Sequence, residues 1–372
     1  MDIINKNSAF TLENLLSKLE EEKLLDSATH QKITESVPSL LQKPSSPWVI
    51  HALAAMAAWW AAILFLVFAF STRLIDGRES MFFSGILLTA IAVFLRRIPR
   101  VLEMDSTSIF LKQLALAANV AGQILLILGA DFAIKNFSMI CLFIIALQGI
   151  MFFLYPDVIQ RFASPIIITG SSLCLLYDLK INMIIHAFVI FLGIASVYLW
   201  LKESDWNLKE ERIAIKPMAY GIVVSMLGVL VLSVVESPEM KNVFPIQYWW
   251  LSSVCLGLIL LLLEHRILNS YKIEPLSKQS LLAFAGTILL VVLCWNSPGL
   301  IGAILILVLG FSRGNSLLMG LSLLFFSNFL FFYYYNLQAT LLQKSLILMT
   351  TGIVLLLFRA LSLYLFPDRN KE

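Results

Sequence analysis

The sequence predicts an all-α, polytopic membrane protein of about twelve transmembrane helices, with both termini cytoplasmic and a short N-terminal helical hairpin. Three observations predict it. The 372 residues are 59% apolar and 14% charged, with a mean hydropathy of +0.86, more apolar surface than a water-soluble domain can enclose. Many apolar runs approach or exceed about eighteen residues with almost no charge, the length that crosses roughly 30 Å of hydrocarbon. Lysine and arginine also crowd one side of the membrane once these runs are threaded alternately.

Residues 1–47 form the first segment, polar and rich in Glu and Lys, which argues against a cleaved secretory leader. Within it Leu12, Leu15, Leu16 and Leu19 share one helical face after a capping Thr11. Asp26 or Ser27 can cap a second helix carrying Ile33 and Val37. So small a pair buries no core alone and is expected to dock on the membrane domain, on a partner or on itself. The stretch QKPSSP (42–47) reads as a linker. Residues 48–366 then form the membrane domain and 367–372 a cytoplasmic tail.

The apolar spans fall near 49–71, 80–96, 111–130, 136–155, 159–177, 182–201, 217–235, 247–264, 279–295, 298–312, 316–335 and 340–359. Ten or eleven spans are the alternatives, because 80–96 is short and 279–312 is divided only by NSPG. That tetrapeptide suits a turn, with Pro298 opening the next helix. With the N-terminus inside, only Arg73, Arg78, Lys135, Lys180, Lys241 and Lys344 fall outside; the other 21 of the 27 lysines and arginines fall inside. An extra or missing span would scramble that bias.

The four cysteines, Cys141, Cys174, Cys255 and Cys294, stand singly in apolar runs and read as small core residues. No His/Cys spacing suits a metal, and His51, His186 and His265 lack a second ligand nearby. Asp131, Asp178, Glu236 and Glu264 fall at span ends, so no span carries the central carboxylate usual in proton- or sodium-coupled transporters. Neither a Walker loop nor HExxH, GxSxG or a Rossmann fingerprint occurs. No catalytic residue and no cofactor is therefore assigned, and a net charge of +3 implies no nucleic-acid surface.

Two groups of polar residues stand out. Gln113, Asn119 and Gln123 lie in the third span; Asn119 and Gln123, four apart, share a face with room for a close neighbour beside Ala115, Ala118 and Gly122. Interhelical hydrogen bonding is the first reading and a polar translocation stripe the second. Gln148 reads as an isolated amide of the same structural kind. The second group closes the chain: Ser327, Asn328, Tyr333, Tyr334, Tyr335, Gln343, Lys344 and Ser345 flank the short link NLQA. The tyrosines suit an interfacial aromatic belt, and Lys344 suits snorkelling to the outer interface. The sharper reading makes these helices antiparallel neighbours whose polar groups converge on an outward cavity, where Lys344 meets an anionic headgroup or an acid such as Asp131. Trp249 and Trp250 read as belt, while Trp59 and Trp60 are expected to pack between helices.

The stretch SPGLIGAILILVLGFSRGNSLLMGLSLLFFSNFLFFYYYNLQATLLQKSLILMTTGIVLLLFRAL (297–361) resembles the C-terminal signature of an uncharacterised bacterial membrane family, the domain-of-unknown-function family numbered 4401. SPWVIHALAAMAAWWAAILFLVF (46–68) and FLKQLALAANVAGQILLILG (110–129) are similar to its N-terminal half, whereas 135–295 carries no such motif. The resemblance implies no established activity. It does imply a bacterial inner-membrane setting beside a second polytopic protein and a small membrane-anchored protein with a GDYxxLxY motif. Three functions compete: a non-enzymatic subunit of a membrane assembly, a transporter or lipid flippase, and a lipid-acting membrane enzyme. The last is disfavoured because the outer loops are short and poor in His, Asp and Glu.

Overall fold

A computed structural model describes residues 48–73, 75, 77–97, 106–203, 212–234, 248–274, 277–336 and 340–365. The expected N-terminal hairpin and C-terminal tail lie outside these residues. Twelve helices occur among them: α1 (Trp48–Ser71), α2 (Arg78–Arg97), α3 (Ser106–Ile134), α4 (Phe137–Leu154), α5 (Val158–Asp178) and α6 (Ile184–Leu201). The second six are α7 (Arg212–Val231), α8 (Trp249–Ser270), α9 (Lys278–Leu293), α10 (Pro298–Ser312), α11 (Ser316–Asn336) and α12 (Leu341–Leu365). Each overlaps one expected apolar run. Among the described residues, α2 to α6, α8 and α11 are the seven helices long and apolar enough to cross a membrane. Shorter apolar stretches lie in α1, α7, α9 and α10.

Local chemistry sets several boundaries. Asn136 caps α4 by accepting from the Met139 N–H at 3.2 Å, and Asp157 caps α5 by accepting from Ile159 N–H at 2.9 Å. Ser277 caps α9. Pro298 opens α10 after Ser297, as expected, because its missing N–H has no helical partner at that position anyway.

The chain divides into two compact units, 1–74 with 87–121, and 75–86 with 122–372. In the first, buried positions are mostly alanines, including Ala58, Ala69, Ala92, Ala115 and Ala117. Trp59 and Trp60 are 37% and 63% exposed, which corrects the expectation that they pack between helices; alanines fill the buried positions instead.

The second unit is built around α10. Ten of its fifteen residues are buried, from Pro298 through Gly310, as suits a helix apolar on every side. Packed against it are α6, α7, α8 and α11, whose Val189, Met226, Leu230, Leu256, Leu260 and Phe329 form the core. Beside this centre, α8 meets α9 through positions seven apart. Trp250 stacks on Trp295 with centroids 5.8 Å apart, Gly257 faces Val291, and the Glu264 carboxylate accepts from the Thr287 hydroxyl. Because α8 continues to Ser270, Glu264 lies about 9 Å before the end of the helix. His186 of α6 is buried, its Nδ1 2.8 Å from the Ser252 hydroxyl and its ring edge-on to Trp249.

Candidate functional site: a ring of buried amides

Helices α4 and α5 are joined by the three residues Tyr155, Pro156 and Asp157 and pack side by side. Gln148 precedes the turn and Gln160 follows it, and both are buried, at 1% and 4% exposure. Gln123 of α3 completes the group. Its Nε2 donates to Gln160 Oε1 at 3.0 Å; Gln160 Nε2 donates to Gln148 Oε1 at 2.9 Å; Gln148 Nε2 donates to Gln123 Oε1 at 2.8 Å. Three carboxamides from three helices thus form a closed head-to-tail cycle. Ser164 joins it, accepting from Gln160 Nε2 at 3.1 Å and donating to the Gln160 carbonyl at 2.8 Å and towards Gln148 Oε1 at 3.2 Å.

The cycle is chemically self-sufficient in one respect. Every amide donates one N–H and offers its carbonyl oxygen within the ring, which answers the desolvation that burial in hydrocarbon imposes. No member is ionisable at neutral pH, so the ring supplies neither acid, base nor nucleophile. Gln148, read as isolated, is one of its members. Gln160, the member the sequence reading missed, stands third in α5; an amide one turn before Ser164 was the available signal.

The other expected positions are distributed differently. Asn119, one turn before Gln123, is fully buried, and Gln113 is partly exposed. At the far end of the chain Tyr333 borders the core, whereas Ser327, Asn328, Tyr334 and Tyr335 are exposed. Lys344 Nζ donates to the carbonyls of Tyr334 at 3.1 Å and Tyr335 at 3.2 Å and lies 5.2 Å from the Tyr334 ring centroid. It therefore caps the last turn of α11, where carbonyls lack helical partners and a cation suits the dipole. Gln343 Oε1 accepts from Thr340 N–H at 3.0 Å, while Gln343 N–H meets Thr340 Oγ1 at 3.4 Å, a reciprocal capping box. Ser345 bonds the carbonyl of Leu342.

These contacts differ from those of the sharper reading, the outward cavity. Lys344 meets backbone carbonyls rather than Asp131, and Ser327, Asn328, Gln343 and Ser345 do not converge on it. Among the described residues the packing contacts of α12 are with α9 rather than with α11. Lys344→Met is expected to lower stability by about 0.5–1 kcal/mol, read by thermal unfolding in detergent, with Lys344→Arg closer to wild type.

Among the described residues no group of three or more His, Cys, Asp or Glu is placed to hold a metal, and all four cysteines are free thiols. The model of the family described as Domain of unknown function (DUF4401) matches residues 47–365. The chain belongs to that family. The match includes the segment 135–295, where the sequence offered no recognisable motif, and every amide of the ring. Neither a curated protein nor a solved structure matches this family member.

Proposed function

We propose that this DUF4401 protein is a non-enzymatic, multi-pass subunit of a bacterial inner-membrane assembly. The observation that carries the reading is the amide ring. The polar groups best placed to line a path through α3, α4 and α5 are hydrogen-bonded to one another, as structural glue between helices is. At the second region the polar groups cap the end of α11 and the start of α12. The family resemblance adds the class of partner, a second polytopic protein or a small membrane-anchored protein with a GDYxxLxY motif.

On this reading the twelve helices are twelve spans, α10 being short because neighbours bury it, and both termini face the cytoplasm. The 21 lysines and arginines assigned to that side support the orientation. A reporter fused after Phe366 is expected to report a cytoplasmic position, and a periplasmic signal overturns the threading.

Purification of the full chain in mild detergent with mass spectrometry tests the function. A membrane protein recovered reproducibly in fixed ratio supports the subunit reading, and a lone monomer across several detergents overturns it. The alternative, a transporter or lipid flippase, requires Asn119, Gln123 and Lys344 as working groups. Alanine at each should then abolish transport while the protein stays inserted and abundant. On the subunit reading these variants complement a deletion.

A further inference from the structure

A groove of about 810 Å³ opens between α5, α7 and α11, within the second unit. Its walls are almost wholly apolar: Ile159 and Phe162 from α5, Pro217 and Val224 from α7, Leu317 and Leu321 from α11. One cation stands among them, Lys216, its side chain 40% exposed and one turn into α7. We propose that the groove binds one anionic glycerophospholipid, an acyl chain lying against the apolar walls and the phosphate at Lys216.

The two halves of the argument are independent. Apolar walls of this volume, within the size range of small-molecule sites, select a hydrocarbon occupant. A protein embedded in lipid meets such occupants first. Lys216 then selects among lipids by charge, as basic pockets between membrane helices do. Beside it the Tyr220 hydroxyl and the Asn315 amide are hydrogen-bonded, Nδ2 donating to Oη at 2.8 Å, which adds a polar edge at the same end. All three helices also begin there: Ile159 and Leu317 each stand second in their helices. The helix termini reinforce the positive potential without constituting a site on their own. Among the described residues Lys216 Nζ pairs with Glu203, 3.9 Å away. That long, partly exposed pair yields readily to a doubly hydrogen-bonding phosphate. A free phosphate would leave the apolar walls unoccupied, and a zwitterionic lipid would bring a second cation towards Lys216. On the proposed threading the mouth faces the cytoplasmic leaflet, but the chemistry does not depend on that, nor on the assembly reading.

The experiment uses delipidated full-length protein in mild detergent, titrated by native mass spectrometry with phosphatidylglycerol, chain-matched phosphatidylcholine and glycerol 3-phosphate. One phosphatidylglycerol per chain is expected, bound at least five-fold more tightly than phosphatidylcholine, with no binding of glycerol 3-phosphate. Lys216→Gln is expected to weaken phosphatidylglycerol about five-fold and leave phosphatidylcholine unchanged. Glu203→Gln is expected to tighten it. A phosphatidylglycerol carrying a photoreactive acyl chain should label peptides from α5, α7 and α11 in the wild-type protein. Equal affinity for the two lipids, binding of glycerol 3-phosphate alone, or labelling confined to other helices overturns the proposal.

Discussion

Gly221→Ala is expected to destabilise the protein by about 1–3 kcal/mol, whereas Gly228→Ala on the same helix should be neutral or stabilising by up to about 1 kcal/mol. The two glycines lie seven residues apart on α7, so helix propensity favours alanine equally at both. Their surroundings differ. A Cβ at Gly228 meets nothing within 4 Å, but one at Gly221 runs into the Phe162 carbonyl of α5, with Pro165 Cγ 3.2 Å away. That obstacle is backbone, which cannot rotate aside as a side-chain tip can. The contact sits just before Pro165, which cannot donate to the carbonyl four residues earlier. Without a Cβ, the α7 backbone lies directly against α5 there, the close approach by which small residues join membrane helices. Unfolding of the purified variants in mixed micelles measures the difference. Equal effects at the two positions would show that the α5–α7 approach is not governed by this contact.

Positions such as Gly302 should be more forgiving, since the clash there is with Leu230 Cδ1, a mobile methyl group. The same distinction separates what could be read in the sequence from what could not. In hydrocarbon a chain must satisfy its own backbone hydrogen bonds, so an apolar run of sufficient length becomes a helix whatever its neighbours. The positions of the helices, and even the turn at Pro298, were legible for that reason. Rotation of each helix about its axis is set by partners, and one face is hardly more apolar than another in spans apolar all round. Gln123 therefore pointed to some partner without naming Gln148 and Gln160, and Trp59 and Trp60 were assigned to the wrong face. The span beginning at 340 was legible, and its capping box is spelled out in TLLQ (340–343), though the sequence reading did not name it. Glu264 closes the apolar run, as the sequence reads, while the helix continues for six more residues.

The ring makes a second, more diagnostic demand, because its members should be strongly non-additive. Gln148→Leu removes the acceptor of Gln160 Nε2 and the donor to Gln123 Oε1, leaving two buried amides short of partners. Interhelical hydrogen bonds in membranes contribute about 0.6 kcal/mol each on average, and an orphaned buried group adds about 1–3 kcal/mol. The single variant is thus expected to lose about 1–3 kcal/mol of stability. Replacing Gln123, Gln148 and Gln160 together by leucine removes every amide that could be orphaned by its neighbours and substitutes side chains of similar volume. The triple variant should therefore lose less than the three singles summed, by about 0.5–3 kcal/mol of coupling. Ser164 is not orphaned by the triple change, since its hydroxyl keeps its bond to the backbone carbonyl of residue 160. Losses that simply add would mean that each glutamine acts alone, and the cycle would cease to explain how α3, α4 and α5 are held together.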